Sequence, residues 1–231
     1  MSASSSFLAC LPLIAADIPA VLALDERCLG GLWTKSGYER ELESEYSDLL
    51  VLVKTGSADL IDRRLEHDAS QSVAATDPKA YLPCSDAHFD THSAADNTGL
   101  ELLGIGCLWA ILEEAHITTL AIEPCYQGEK LGLLLLTQLL QKGRDRGLTR
   151  ATLEVRLSNQ RALSLYQKFD FKEAGQRKRY YADGENARIL WRTGLQSETF
   201  SAQLKNYQTQ SIAQIAEAQN YYFYPEIQRS V

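Results

Sequence analysis

Leu120-Ala-Ile-Glu-Pro-Cys-Tyr-Gln-Gly-Glu-Lys-Leu-Gly132 runs from an alternating apolar stretch through Pro124 into a loop of small and polar residues, then opens a leucine-rich run. The pattern predicts a strand, a turn and the start of a helix. Unpaired backbone N–H groups and the positive end of a helix dipole make such a junction a seat for an anion, and a pyrophosphate suits it. A nucleotide-linked cofactor is the first expectation. Taken alone, strand, turn and helix joined by Gly128 and Gly132 would be ordinary α/β architecture, so the flanking residues must decide.

Downstream, Leu131 to Arg146 reads as a helix, with basic residues near its end and Gly147 as its stop. Thr152 to Leu157 then alternates as a strand, with Thr152, Glu154 and Arg156 on one face and Leu153 and Val155 on the other. Ser158 is the expected cap of the next helix, on which Asn159 and Tyr166 lie seven residues apart and share a face. An acid, an amide and a phenol are thereby expected to converge beside the cofactor loop. Two final strands are expected around Ala182-Asp-Gly-Glu185.

Upstream, residues 7–14 read as a strand, Asp17 as the N-cap of a helix ended by Gly30-Gly31, Tyr38 to Tyr46 as a second helix and Leu49 to Lys54 as a buried strand. Leu100 to Ile111 and Ala115 to Ile122 read as two strands joined by a turn at Glu113-Glu114. Between these groups, residues 56–99 carry eight acidic and three basic side chains with no lasting apolar period, and are expected to form an acidic loop insertion. The residues from Leu195 on are expected to form a C-terminal extension with a helix near Ser211 to Asn220.

The order strand, Pro-x-Tyr-Gln, small-residue loop and helix, then Leu153-Glu-Val-Arg-x-Ser-Asn159, Ala162-Leu-x-Leu-Tyr166 and Arg179-Tyr-Tyr181 resembles the RimI group of the GNAT superfamily, the ribosomal-protein-alanine N-acetyltransferases. Asp17-Ile-Pro-Ala-Val21 and Trp33 agree with that family's opening, and the resemblance covers about 140 residues outside the insertion and the extension. It implies an α+β fold with a mixed, mostly antiparallel central sheet flanked by helices, over residues 1–194. It implies acetyl-CoA as cosubstrate and acetyl transfer to a peptide N-terminus, such as that of a ribosomal protein. By the same resemblance Glu154 and Tyr166 are the catalytic pair. Leu120, Ala121, Ile122, Gln127, Gly128, Glu129, Lys130, Leu131, Gly132 and Asn159 hold the cofactor, and Trp33, Tyr180 and Tyr181 border the peptide slot.

Two positions depart from the family pattern. Lys130 occupies a site usually held by a small residue, which is tolerated if its dihedrals are right-handed helical. Asp170 stands where the family has glycine, and Asp is among the few residues that accept a left-handed helix stop.

For the reaction, Glu154 would take the amine proton, backbone N–H groups near Ile122 would hold the oxyanion and Tyr166 would protonate the departing sulfur. An α-amine, with a pKa of about 7.7 to 8.0 against about 10.4 for lysine, is the easier acceptor by roughly 3 kcal/mol at pH 7.5. A GNAT enzyme for lysine or a small amine is the nearest alternative reading, and a catalytically silent acyl-CoA-binding module is the other.

Composition narrows the partners. With 30 acidic and 23 basic side chains and a net charge of −7, the chain lacks the basic excess a nucleic-acid partner needs. No run of sequence resembles a signal peptide or membrane anchor, and five cysteines without Cys-x-x-Cys spacing read as reduced thiols, so a cytoplasmic protein is expected. Oligomeric state is not legible. Cys84, His88 and His92 fall at helical spacing but read as solvated rather than metal-binding, Cys125 lacks a His-Asp arrangement for a nucleophile, and His116 reads as structural.

Overall fold

A computed structural model describes residues 6–69, 99–219 and 221–224. Eight strands form one sheet in the order β6-β7-β5-β4-β3-β2-β1-β8. They are β1 (Ser6–Pro12), β2 (Ser47–Thr55), β3 (Glu101–Ile111), β4 (Glu114–Ile122), β5 (Arg150–Arg156), β6 (Lys172–Arg177), β7 (Ala187–Thr193) and β8 (Tyr221–Phe223). The pairings β1–β8 and β4–β5 are parallel and the other five antiparallel, giving the mixed, mostly antiparallel sheet that the family resemblance implies.

Among the described residues six α-helices cover the two faces: α1 (Ile18–Leu29), α2 (Lys35–Leu42), α3 (Ala58–Ala69), α4 (Leu131–Asp145), α5 (Gln160–Lys168) and α6 (Glu198–Gln219). Side chains alternate across the strands, so the sheet separates two apolar clusters. One holds Leu50, Leu52, Leu153 and Val155 with the leucines of α4, Tyr166 of α5 and Phe200, Leu204 and Ile215 of α6. The other holds Val51, Val53, Ile105 and Cys107 with Val21 and Leu24 of α1 and Tyr38 of α2.

Helix α4 lies close against the sheet because β3 presents glycines to it. A Cβ on Gly106 would stand 2.7 Å from the Leu139 side chain, and one on Gly104 only 2.8 Å from the Ala121 carbonyl oxygen of β4 and 2.6 Å from Ile122 Cδ1. Close approach of backbone to backbone at Gly104 is what glycine permits there.

The described structure differs from the sequence reading in several places. The insertion does not start as loop, because residues 58–69 form α3, whose Ile61 is fully buried. Its Arg64 bonds the Asp17 carboxylate and the Pro12 carbonyl. Among its described side chains Leu60, Ile61, Arg64 and Leu65 face the core, an inward set in which an arginine interrupts the apolar pattern. Asp17 stands at the N-cap of α1 without making a side-chain cap, since its carboxylate is engaged by Arg64 and by the Ile14 N–H. The cap of α5 is Asn159, which accepts from the Ala162 N–H, and not Ser158. The C-terminal helix is longer than expected, spanning residues 198–219 and burying Phe200 and Leu204 against α4. Lys130 is left-handed (φ 67°), not right-handed, whereas Asp170 (φ 60°) makes the left-handed stop expected of it.

Candidate active site

The site begins where two neighbouring strands part. β4 and β5 pair only from Glu114↔Arg150 to Ile117↔Leu153, yet β4 runs on to Ile122 and β5 to Arg156. Beyond the last pair each strand has an unpaired backbone edge, which in a protein interior must find a partner. A bulge sharpens the parting: Cys107 pairs with Thr119 and Leu108 with Ile117, so Thr118 is the extra residue.

A cavity of about 600 Å³ opens at this parting, between the start of α4 and one face of α5. Its walls include eight of the expected site residues: Leu120, Ile122, Gln127, Gly128, Lys130, Gly132, Asn159 and Tyr166. Ala121 and Leu131 are instead buried in the two apolar clusters, where their side chains serve packing. One Glu129 carboxylate oxygen is buried without a bonding partner among the described residues, and burial pushes that carboxyl above its ordinary value. Gly128 (φ 98°) lines the cavity and has open space where a Cβ would be. The Gln127 amide donates to the Ile122 carbonyl at 3.0 Å, and its oxygen accepts from Arg161 at 2.7 Å, tying the end of β4 to α5.

Glu154 does not line this cavity. Alternation along β5 sends it to the opposite face from Leu153 and Val155, among charged and aromatic groups. Its oxygens lie 2.9 Å from Arg177 Nη2 and 3.1 Å from His116 Nε2. The hydrogen bonding around His116 fixes its protons. The Thr152 hydroxyl donates its one hydrogen to Glu114 Oε1 at 2.6 Å, so it can only accept from His116 Nδ1, 2.9 Å away. With Nδ1 a donor and Nε2 facing a carboxylate, the pair at rest is imidazolium and carboxylate. The electrostatic surroundings agree: the His116 bond, followed by its charge and by Arg177, holds Glu154 below its ordinary value against the effect of burial, and the Glu154 bond holds His116 above its ordinary value.

Tyr166 is the opposite case. It is 6% exposed within the α4 cluster, where its ring meets Phe171 edge-on at 5.7 Å, and burial raises its phenol well above the ordinary value. Glu154 and Tyr166 are therefore not side by side, because they belong to opposite faces of the sheet. Tyr181 lies within electrostatic reach of both, and burial above all pushes its own phenol up to about 12.

The three expected slot residues lie on the Glu154 face. Trp33 follows Gly30-Gly31, and buried Asp25 accepts from the N–H groups of Leu32 and Trp33 and from the Tyr38 hydroxyl, which fixes that loop. Ring contacts then run from Trp33 to Trp109 at 5.9 Å and from Trp109 to His116 at 6.3 Å, ending beside Glu154. On the other side, Arg156 stacks on the Tyr181 ring at 3.8 Å and binds Asp183 and Glu185, holding the turn that carries Tyr180 and Tyr181.

Sequence reading missed His116, Arg177 and Trp109. Their signal is the register His116↔Thr152 across a parallel pair, which spacing along one strand cannot reveal. It also missed Tyr126, Arg161 and Lys168, which share the cavity wall. Cys125 is an exposed thiol. The residues Cys84, His88 and His92 lie outside the described residues. Among the described residues no group of three or more metal-ligating side chains occurs, and no helix is long and apolar enough to cross a membrane.

Residues 62–171 match the model of the acetyltransferase (GNAT) family. A Bacillus subtilis protein provisionally named a ribosomal protein bS18-alanine N-acetyltransferase is 41% identical over 93 residues, which are 40% of this chain and 62% of that protein. The ribosomal protein bS18-alanine N-acetyltransferase of Escherichia coli K12 is 39% identical over 82 residues, 35% of this chain and 55% of that protein. The chain thus matches somewhat over half the length of these relatives. The crystal structure of the Escherichia coli ribosomal-protein-S18-alanine N-acetyltransferase superposes with a TM-score of 0.55 at 22% identity, covering 81% of this chain and 94% of that one. Ard1 from Thermoplasma volcanium superposes with a TM-score of 0.56 at 17% identity, covering 82% and 98%. The chain has the GNAT fold, and just under half of its length matches the acetyltransferase (GNAT) family model.

Proposed function

We propose that this chain is an acetyl-CoA-dependent N-acetyltransferase acting on a protein or peptide N-terminus, and that residues 1–194 form its catalytic domain with residues 195–231 as an extension of it. The observation that carries this reading is the parting of β4 and β5, which opens the cavity holding Tyr166 on one face of the sheet, with Glu154, just past the last β4–β5 pair, on the other face. The relatives' names, ribosomal protein bS18-alanine N-acetyltransferases, support a protein acceptor of the same class.

Acetyl-CoA would supply the electrophilic acetyl carbon and a thiolate leaving group. The open edge of β4 at Leu120, Ala121 and Ile122 would receive its amide arm, and the loop 127–132 with Asn159 its polar end. The chain must then hold an uncharged amine, accept the amine's proton and return a proton to sulfur. Glu154, kept ionised by His116 and Arg177, is suited to accept. Tyr166, kept protonated by burial, is suited to donate. Trp33, Tyr180 and Tyr181 flank Glu154 and would border the acceptor peptide. An α-amine fits this machinery better than a lysine, since one strongly ionised carboxylate is a weak base and needs an acceptor that is already partly neutral at physiological pH.

The test is mass spectrometry of peptides with N-terminal Ala, Ser, Thr or Met, each in free and N-blocked forms and each containing an internal lysine, after incubation with acetyl-CoA. Acetylation of the free forms at the α-amine alone is expected. Modification of the blocked forms would point to lysine, and no turnover with any amine would leave an acyl-CoA-binding module.

A further inference from the structure

The cavity wall has a charge that the rest of the chain does not. In a protein of net charge −7, the residues lining it include Lys130, Arg161 and Lys168 and not one Asp or Glu. None of the three cations is paired with a carboxylate among the described residues, where most arginines are: the one described partner of the Arg161 guanidinium is the neutral Gln127 amide, and the two lysine ammonium groups have none. Two of these cations belong to α5. Arg161, Ser164, Leu165 and Lys168 follow the spacing of one helix face, and all four line the cavity. That face therefore presents a cation at each end, about 10 Å apart, with an apolar and a hydroxyl side chain between them. Leu165 also meets the start of α4, where a Cβ on Gly132 would lie 3.6 Å from it, so the face adjoins the anion-binding loop.

We propose that this face of α5, through Arg161 and Lys168, recognises a third phosphate on the nucleotide end of the cosubstrate, the one carried by the ribose of coenzyme A, and so selects coenzyme A over its 3′-dephospho form. The inference rests on the cavity being the coenzyme A site. The α4 start, with the unpaired N–H groups of a helix's first turn and Lys130, suffices for the two charges of a pyrophosphate. Two further cations across the cavity exceed that need and match a phosphate monoester, which carries close to two negative charges at neutral pH. Arg161 is held in place by Gln127 before any anion arrives, so less side-chain freedom is lost when it engages one.

The experiment is isothermal titration of the full chain with coenzyme A and with 3′-dephospho-coenzyme A, in wild type, in Arg161→Gln/Lys168→Gln and in Arg161→Lys. Wild type should bind coenzyme A about 10-fold more tightly, an effect of the size expected of charge-assisted bonds at a solvated site. The double variant should lose that preference by binding coenzyme A more weakly while binding the dephospho form as before. Arg161→Lys should keep most of it. Added salt should narrow the wild-type preference. Equal binding of the two nucleotides by wild type, or equal weakening of both in the double variant, would overturn the proposal. If wild type bound neither nucleotide, the reading of the cavity itself would fail, and the proposal with it.

Discussion

On the face of the sheet covered by α4 and α5, a titratable phenol sits among leucines; on the face covered by α1 and α2, a titratable carboxylate sits among an imidazole, a guanidinium and indoles. Both groups approach the same parting of β4 and β5, but the environments push them in opposite senses. Burial without a charge partner keeps Tyr166 protonated, whereas His116 and Arg177 keep Glu154 ionised. A single structural device separates them, the two-residue period of β5, which sends Leu153 and Val155 toward Tyr166 and Glu154 away from it. Each group is thus held in the protonation state its role requires by its own surroundings, the carboxylate by two cations and the phenol by burial.

The largest expected effect tests the donor face. Tyr166→Phe should keep ring packing and coenzyme A affinity while kcat falls by about 10²- to 10⁴-fold, the range of one positioned acid. Turnover near the wild-type rate with chemistry rate-limiting would reduce Tyr166 to a packing residue. On the acceptor face, Glu154→Gln should lower kcat/KM by about 10²-fold at pH 7, and the loss should shrink as pH passes the α-amine pKa of about 8, because solvent then supplies neutral amine. The phenylalanine variant should show no such recovery, and a parallel recovery in both would erase the distinction between the faces.

Three smaller effects probe what holds the faces apart. Gly104→Ala should destabilise the fold by about 2 kcal/mol in urea unfolding, since its methyl group would press on the β4 backbone beside the parting. His116→Gln tests the charge pair through pH. His116 titrates above its ordinary value of 6.5, so its contribution is complete below about that pH and fades as pH rises through the raised value. Glu154 titrates below 4.5, so its contribution is present above that pH and is lost as pH falls through the lowered value. The melting temperature deficit of His116→Gln should therefore be widest between these limits and should narrow toward alkaline pH. A deficit independent of pH would mean His116 acts by packing alone. Lys130→Gly should stabilise the ligand-free protein by up to about 1 kcal/mol, because relief of a left-handed side chain slightly outweighs the extra freedom glycine gives the unfolded chain. A loss of stability there would show that the lysine side chain holds the loop in a way its geometry does not reveal.

The contrast also explains what could be read from residues alone. Period and punctuation along single segments sufficed for most strands, for α4 with its Gly147 stop, and for the left-handed turn at Asp170. The cavity-lining half of the site was legible for the same reason, since Leu120 to Gly132 is one continuous segment. The Glu154 face was only partly legible, because His116, Trp109 and Arg177 come from three strands and meet Glu154 through pairing register. Lys130 shows another limit: whether a residue at a helix start is right- or left-handed is set by the incoming turn, and no residue type there signalled it. Helix α3 escaped notice because buried Arg64, paired with Asp17, interrupts the apolar pattern of its inward face.

Strand β8 has a consequence for how the molecule can be made. Tyr221 to Phe223 pair in parallel with Ser6 to Leu8, and β1, with its apolar Phe7-Leu-Ala-Cys-Leu11, lies between β8 and β2. An apolar strand with one open side is a template for pairing with another chain. β8 lies far downstream of β1 in the chain, so during synthesis that side of β1 stays open while the strands between them are made. The short closing strand thus acts as a seal applied after the rest of the sheet, and a chain cut before Tyr221 would be expected to associate with its own copies through the edge that β8 covers.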